Sequence, residues 1–325
     1  MEIEYQFEDK VMDINLIKRI CMCYFSPCNN VRKIVTKLGN EISDVIGVPT
    51  EVFDFTSFDA RKNTFKFDDS DLVIIGSPVY AGRIPNKIMP FYKENIIGDN
   101  AICICAVSYG NRSYDDALGE LVYLMENNGM DVIAACAIPS EHSFTSELAT
   151  QRPDENDLLN IGSFARIILD DVMSHGEKFG NEDVVSHVEK VEFDEDENNI
   201  YYNDICVKKV SGNDILKLNV SGTVPPDKYY TPLKEDGNPA KFLKAVPKID
   251  EEKCIKCGKC KNICPMGSIN DSGITDGICI KCQACVYNCA GNARYFDDED
   301  FLSHVNMLKK NYSDRKEAEY FIRRL

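Results

Sequence analysis

Two cysteine-rich stretches decide how this sequence folds: CIKCGKCKNICP at residues 254–265 and CIKCQACVYNC at residues 279–289. Both have the spacing C-x2-C-x2-C-x3-C. A loop with three cysteines at intervals of three can wrap three thiolates around three corners of an iron–sulfur cube, and the fourth thiolate follows at the start of a short helix. The spacing therefore predicts two [4Fe–4S] clusters.

In this pattern the fourth cysteine of each run serves the cluster of the other run. The main alternative is structural zinc, which is usually bound by C-x2-C pairs from two distant places in the chain. The doubled C-x2-C-x2-C-x3-C spacing fits a zinc site poorly. The second run ends in Cys289-Ala290 where the first has Cys264-Pro265, and this loses a helix-start preference but no ligand. The predicted ligands are Cys254, Cys257, Cys260 and Cys289 for cluster 1, and Cys279, Cys282, Cys285 and Cys264 for cluster 2.

The stretch resembles bacterial ferredoxins throughout, which implies a small α+β ferredoxin-like domain at residues 249–298. The whole chain has 325 residues, 44% of them hydrophobic, so most of its core must lie elsewhere. Lys18 and Arg19 interrupt the first apolar stretch, so this stretch does not have the pattern of a secretory signal. No apolar run is long enough to span a membrane. A cytoplasmic location is therefore expected, where cysteines stay reduced. The net charge of −16 disfavours nucleic acid and anionic membranes as partners.

Upstream of the cysteines, apolar runs of strand length alternate with helical patterns. The runs predict strands at residues 20–25, 50–55, 71–76, 101–107 and 131–138, with a closing helix at 157–175. Strands that alternate with helices predict an α/β fold with a doubly wound parallel sheet. The first polar loop, residues 26–30, lies at a helix N-terminus, a place where phosphate binds well.

Three loops, at residues 25–30, 76–82 and 108–112, look like the FMN loops of flavodoxins. That family has the strand order 2-1-3-4-5, and its loops meet at the switch point of the sheet. The resemblance covers about residues 19–175 and implies a flavodoxin-like domain at 19–178. It implies phosphate contacts from Ser26, Cys28, Asn29, Asn30 and Val31, and ring contacts from Pro78, Val79, Tyr80, Ala81, Gly82, Ser108, Tyr109, Gly110 and Asn111, with Tyr80 or Tyr109 stacking on the flavin.

The phosphate loop differs from the S/T-x-T-G-N-T pattern of flavodoxins. Ser26 and Asn30 keep the first hydroxyl and the asparagine, whereas Cys28, Asn29 and Val31 replace a hydroxyl residue, the glycine and the final threonine. We therefore expect FMN to bind, but more weakly than in a standard flavodoxin. Asn29 tolerates the left-handed backbone that glycine would supply. Cys28 is either a loop residue or a redox-active thiol acidified by the helix N-terminus.

The remaining segments carry weaker patterns. Residues 1–18 predict a short N-terminal strand, and residues 179–248 predict a β insertion and linker, with that strand as a candidate pairing partner. Residues 299–325 predict a helical tail docked on the body. The four histidines, His142, His175, His187 and His304, are dispersed and indicate no catalytic constellation. Substrate chemistry should therefore come from the cofactors.

Taken together, the two resemblances identify the chain as similar to the flavodoxin–ferredoxin fusion proteins of anaerobic bacteria. They imply an electron-transfer protein that joins one-electron clusters to a flavin. It would take electrons from a ferredoxin or a reductase and deliver them to a partner or a small-molecule acceptor. Two alternatives stay open: a non-catalytic iron–sulfur module whose flavodoxin-like domain is a scaffold, and a redox sensor without turnover.

Overall fold

The computed structural model describes residues 16–175, 192–193, 198–202, 205–213 and 215–324. The strands are β1 (Arg19–Tyr24), β2 (Thr50–Asp54), β3 (Phe65–Phe67), β4 (Asp71–Pro78), β5 (Ile96–Gly98), β6 (Ile102–Tyr109), β7 (Asp131–Pro139), β8 (Glu192–Phe193), β9 (Asn199–Tyr202), β10 (Ile205–Val210), β11 (Lys248–Ile249), β12 (Arg294–Tyr295) and β13 (Glu319–Arg323). The helices are α1 (Asn30–Ile46), α2 (Met89–Glu94), α3 (Ala117–Asn127), α4 (Glu155–His175), α5 (Lys259–Asn262), α6 (Ala284–Tyr287) and α7 (Glu299–Asn311).

Five parallel strands form the centre of the main sheet in the order β2-β1-β4-β6-β7. This is the predicted 2-1-3-4-5 order, so the flavodoxin-like fold is confirmed. Strands β4 and β6 are buried along almost their whole length because helices cover both faces of the sheet. Side chains of β1 alternate accordingly: Ile20 and Met22 join the core under α1 and α4, whereas Cys21 and Cys23 join the core on the α3 side.

The sheet continues beyond the five predicted strands, in the order β7-β13-β10-β9-β8. Strand β13 runs antiparallel to β7 and parallel to β10. The β insertion therefore pairs with the C-terminal segment, and the predicted N-terminal strand lies largely outside the described residues. The tail predicted as helical at 299–325 contains α7 and then ends in a strand of the main sheet. Arg323 holds that strand through two hydrogen bonds to Asp131, at 2.6 and 3.0 Å.

The linker and α7 lie over the C-terminal edge of the parallel strands. Phe242 from the linker packs with Phe301 and Val305 of α7, and Phe144 from the loop after β7 packs against this cluster. The ferredoxin-like part, with α5, α6 and the β11-β12 pair, reaches the same edge, where Arg61 donates a hydrogen bond to the carbonyl of Pro265. The described helices include none that is both long and apolar enough to cross a membrane.

Candidate functional site

The three predicted flavin loops meet in one pocket of about 240 Å³ at the C-terminal edge of β1, β4 and β6. The edge is the expected place because neighbouring parallel strands open their loops on the same side there. Of the residues predicted to contact FMN, the pocket is lined by Ser26, Cys28, Asn30, Val31, Pro78, Val79, Tyr80, Ala81, Gly82, Ser108, Tyr109 and Gly110. The sequence therefore located the pocket from three separate loops.

Asn29 and Asn111 do not line the pocket. Asn29 has the left-handed backbone expected of it, with φ of 69°, but its side chain is exposed at the start of α1. Asn111 is buried, and its Nδ2 donates hydrogen bonds to the carbonyls of Tyr312 and Asp314, at 2.6 and 2.9 Å. The Asn111 amide therefore anchors the C-terminal segment, and this residue is not part of the pocket wall.

Cys28 lies against the second cysteine loop. Its Sγ donates a hydrogen bond to the carbonyl of Cys282, 3.0 Å away. Burial, with Cys285 nearby as a lesser cause, raises the pKa of the Cys28 thiol to about 12. Burial disfavours the charged thiolate, so the shift is opposite to the acidification expected at a helix N-terminus. Cys28 thus links the phosphate loop to the second cysteine loop.

Gly82 shows why the second loop needs a glycine. Its φ is +80°, which favours glycine, and a Cβ there would lie 2.2 Å from Oδ2 of Asp115. That carboxylate forms an ion pair with Arg112, another residue of the pocket wall. A side chain at position 82 would therefore displace the pair that shapes one side of the pocket.

Several parts of the pocket were not found from the sequence. The loop after β7 contributes residues 140–144, the linker contributes Tyr230, Pro232 and Phe242, and α7 contributes His304 and Leu308. The aromatic residues of the linker were the only available signal, and they do not specify which surface they cover. The structure also corrects the view that the histidines are dispersed, because His142 and His304 line the same pocket.

The two cysteine loops adopt the same backbone conformation. Lys256 and Gly258 have positive φ of 52° and 71°, and the matching residues Lys281 and Gln283 have 58° and 64°. The short helices α5 and α6 begin at equivalent places, one residue after these turns. The fourth cysteines also match: the backbone N–H of Ser268 donates to Cys264 Sγ at 3.4 Å, and that of Ala293 donates to Cys289 Sγ at 3.2 Å. Backbone donors aimed at sulfur are suited to a thiolate that ligates iron.

The cysteines predicted for cluster 2 share one small cavity. It is lined by Cys264, Cys279, Cys282 and Cys285, among mostly apolar neighbours. Burial raises the pKa of the last three thiols, and Cys264 is close enough to each of them to raise it further. Cys264 comes from the other loop, so the chain brings four thiols together in the set that the spacing predicts.

Arg294 lies between the two cysteine loops and was not singled out from the sequence. Its side chain is buried, and its guanidinium contacts the Sγ of Cys260 at 3.9 Å and donates to Thr275 Oγ1 at 2.9 Å. A buried cation beside thiolates offsets their negative charge. No group of three or more His, Cys, Asp or Glu side chains in the described ranges is arranged to hold a single metal ion. A cubane spreads its thiolates over four iron atoms, so its ligands need not converge on one ion.

Comparison with known protein families finds one model that matches part of the chain. Residues 246–269 match the model of a 4Fe–4S binding domain. Comparison with curated proteins found no match.

The solved structures that match include a flavodoxin from the domain Archaea, with 19% identity over 47% of this chain and 98% of that chain, at a TM-score of 0.35. A flavodoxin from Streptococcus pneumonia TIGR4 matches with 14% identity over 47% and 99% of the two chains, at a TM-score of 0.35. Flavodoxin 2 from Bacillus cereus matches with 15% identity over 47% and 99%, at a TM-score of 0.32. The strand order β2-β1-β4-β6-β7 shows the flavodoxin-like fold independently of these matches. The chain joins a flavodoxin-like domain to a ferredoxin-type 4Fe–4S domain in one polypeptide, which is the architecture of a flavodoxin–ferredoxin fusion protein.

Proposed function

We propose that this protein transfers electrons between two [4Fe–4S] clusters and an FMN held in the pocket, with cluster 2 next to the flavin. One observation carries the proposal: Cys282, with its neighbours Ile280 and Lys281, lines both the pocket and the cysteine cavity. A ligand of cluster 2 would therefore form part of the flavin site. Cluster 1, on Cys254, Cys257, Cys260 and Cys289, would be the entry point for electrons.

The residues of the pocket fit FMN. The phosphate would lie at the N-terminus of α1, where helix N–H groups and dipole favour an anion. Ser26 Oγ accepts a hydrogen bond from the backbone N–H of Arg32 at 3.0 Å, which leaves its own proton free for a phosphate oxygen. FMN, when bound, exchanges one or two electrons, whereas each cluster exchanges one, so the pair suits conversion between the two.

Rapid reduction tests the proposal. When the anaerobically prepared protein is mixed with dithionite in a stopped-flow instrument, cluster bleaching should be followed by flavin reduction at a rate independent of protein concentration. Clusters that bleach while the flavin stays oxidised, at a dilution that prevents collisions, would contradict transfer within one molecule. A protein that takes up no FMN at all would support the scaffold alternative, and full transfer without turnover with any acceptor would support the sensor.

Restoring a hydroxyl to the phosphate loop should strengthen FMN binding. Val31 lines the pocket and is the position where flavodoxins carry the last threonine of the motif. In Val31→Thr, a hydrogen bond to the charged phosphate should contribute about 1.5–3 kcal/mol, less the cost of burying the hydroxyl. We expect FMN affinity to rise about tenfold, measured by titrating the apoprotein and following flavin fluorescence.

Val35→Thr is the matched control for this change. Val35 lies one turn along α1 on the same buried face, and both valines border the position that a Cβ on Gly76 would occupy. Position 35 does not line the pocket, so its hydroxyl cannot reach a phosphate there. An equal gain in affinity from both variants would show that the phosphate does not lie at the N-terminus of α1.

We also propose that the electron donor is a small redox protein with an acidic surface. The cluster 1 loop exposes Lys256 and Lys259, which form no ion pair with any described residue, together with the exposed apolar side chain of Ile255. A local positive charge on an otherwise acidic protein would orient such a donor toward cluster 1. This docking surface comprises Ile255, Lys256 and Lys259.

Charge reversal tests the docking surface. Lys256→Glu with Lys259→Glu should slow reduction by an acidic bacterial ferredoxin several-fold at low ionic strength, and the difference should vanish as salt rises. The control is Lys87→Glu with Lys93→Glu, which changes the net charge equally at exposed positions around α2. Equal slowing by both double variants would mean that only net charge matters and that the docking surface is elsewhere.

A further inference from the structure

His142 and His304 approach the pocket from different parts of the chain. His142 follows β7, and its ring lies against Gly110 so closely that a Cβ there would come within 2.4 Å of His142 Cδ2. His304 belongs to α7 and is surrounded by the aromatic rings of Phe144, Tyr230 and Phe242, with centroids 5.5–6.4 Å away. Both histidines are close enough for His304 to influence the titration of His142.

The hydrogen bonds on one side of each ring fix which nitrogen carries the proton. The backbone N–H of Phe144 donates to His142 Nδ1 at 3.1 Å, so Nδ1 is the acceptor and a neutral His142 carries its proton on Nε2. His304 Nδ1 lies 2.8 Å from the carbonyl of Leu233, which can only accept, so this nitrogen is protonated and Nε2 has a free lone pair. The pair thus offers one donor and one acceptor.

The titratable and charged side chains around them are neutral or paired. Burial lowers the pKa of His142 to about 4, and burial also lowers the pKa of His304, so both rings are uncharged at neutral pH. Three charged side chains line the pocket among the described residues, and all have partners: Arg112 pairs with Asp115, Glu141 accepts from the N–H of Gln151, and Lys281 donates to the carbonyl of Leu243. Arg112 also stacks on Tyr230, with Cζ 3.9 Å from the ring centroid.

We propose that the pocket holds, beside the flavin, a second ligand: a small, neutral, flat molecule with a conjugated carbonyl and a hydroxyl group. Its carbonyl accepts from His142 Nε2, its hydroxyl donates to His304 Nε2, and its ring lies among Phe144, Tyr230 and Phe242. His304, Tyr230 and Phe242 belong to α7 and the linker, outside the flavodoxin-like core that supplies the three flavin loops. These added segments therefore extend the pocket wall beyond the three flavin loops. The inference rests on the proposed function in placing FMN in the same pocket and gives its small-molecule acceptor a chemical class.

Calorimetry with three probes tests this site in the FMN-loaded protein. The probes are 3-hydroxyacetophenone, acetophenone, which lacks the hydroxyl, and the anion 3-hydroxybenzoate. We expect 3-hydroxyacetophenone to bind about three- to tenfold more tightly than acetophenone, the effect of one neutral hydrogen bond, and 3-hydroxybenzoate to bind most weakly. Tightest binding of 3-hydroxybenzoate, or no binding of any probe, would overturn the proposal.

Two asparagine variants separate the roles of the histidines. The asparagine amide lies near the position of Nδ1 in each case. In His142→Asn the amide oxygen can still accept from the N–H of Phe144, and in His304→Asn the amide nitrogen can still donate to the carbonyl of Leu233. His304→Asn should make the two ketones bind equally, whereas His142→Asn should weaken both about three- to tenfold. If the variants instead lower FMN affinity and leave the probes unchanged, the pair holds the pyrimidine edge of the flavin, and the proposal is wrong.

The outcomes keep this proposal distinct from the proposed function. FMN that is reduced through the clusters while no probe binds would leave the electron-transfer function intact and remove only the second ligand. Failure of FMN to bind would remove the function itself. The comparison of three probes uses the unaltered protein, so it decides the question even if a histidine variant does not fold.

Discussion

Replacing Cys264 by alanine should destroy the cluster of the other loop and leave the cluster of its own loop intact. Cys264 shares a cavity with Cys279, Cys282 and Cys285, and its loss leaves that set with three ligands. Iron and sulfide content should fall by about half, and flavin reduction by dithionite through the clusters should become undetectable. Electron paramagnetic resonance of the reduced protein should show one remaining [4Fe–4S] signal.

Cys289→Ala is the mirror-image control. By the same assignment it removes the cluster of Cys254, Cys257 and Cys260, and cluster 2 remains beside the pocket. Iron should again fall by about half, but transfer from cluster 2 to the flavin should persist. Cys206→Ser, at an exposed cysteine in β10, controls for the loss of a thiol as such. If Cys264→Ala kept flavin reduction and Cys289→Ala abolished it, the crossed ligand sets would be wrong.

The second large effect concerns stability. Arg152 and Asp157 form a buried ion pair with two hydrogen bonds, at 2.8 and 2.6 Å, and both side chains are at most 4% exposed. Arg152 also donates to the carbonyl of Lys316, just before β13. Arg152→Ala leaves the Asp157 carboxylate buried without this partner and frees the C-terminal segment. We expect the free energy of unfolding to fall by about 3–5 kcal/mol, measured by urea denaturation followed by circular dichroism.

Lys309→Ala provides the comparison for an exposed pair. Lys309 of α7 pairs with Glu147, and the two side chains are 32% and 67% exposed. Solvent screens such a pair, so its loss should cost less than about 1 kcal/mol. If the free energy of unfolding fell by the same amount in Arg152→Ala and Lys309→Ala, the buried ion pair would contribute no more to stability than an exposed one.

The sequence alone determined the features that depend on local spacing. The cysteine intervals predicted the repeated loops because three ligands of one cluster come from a single tight turn, and the structure gives both loops the same backbone. The apolar runs predicted five strands because buried parallel strands must be apolar on both faces, and the resemblance of the loops to flavodoxins supplied the strand order. The polar loops after β1, β4 and β6 could be assigned to one pocket because the carboxyl ends of parallel strands meet at one edge.

Only the tertiary structure decided how distant segments share that edge. The Asn111 side chain donates to the carbonyls of Tyr312 and Asp314. The Cys28 thiol donates to the carbonyl of Cys282, and His142 and His304 line the same pocket. Strand β13 entered the sheet between β7 and β10, although its sequence, EYFIR, resembles any short strand. These contacts join residues more than a hundred positions apart, and no local pattern encodes them. They arise because buried polar groups need hydrogen-bond partners and an open sheet edge needs a neighbouring strand, and only the packed chain determines which partner is within reach.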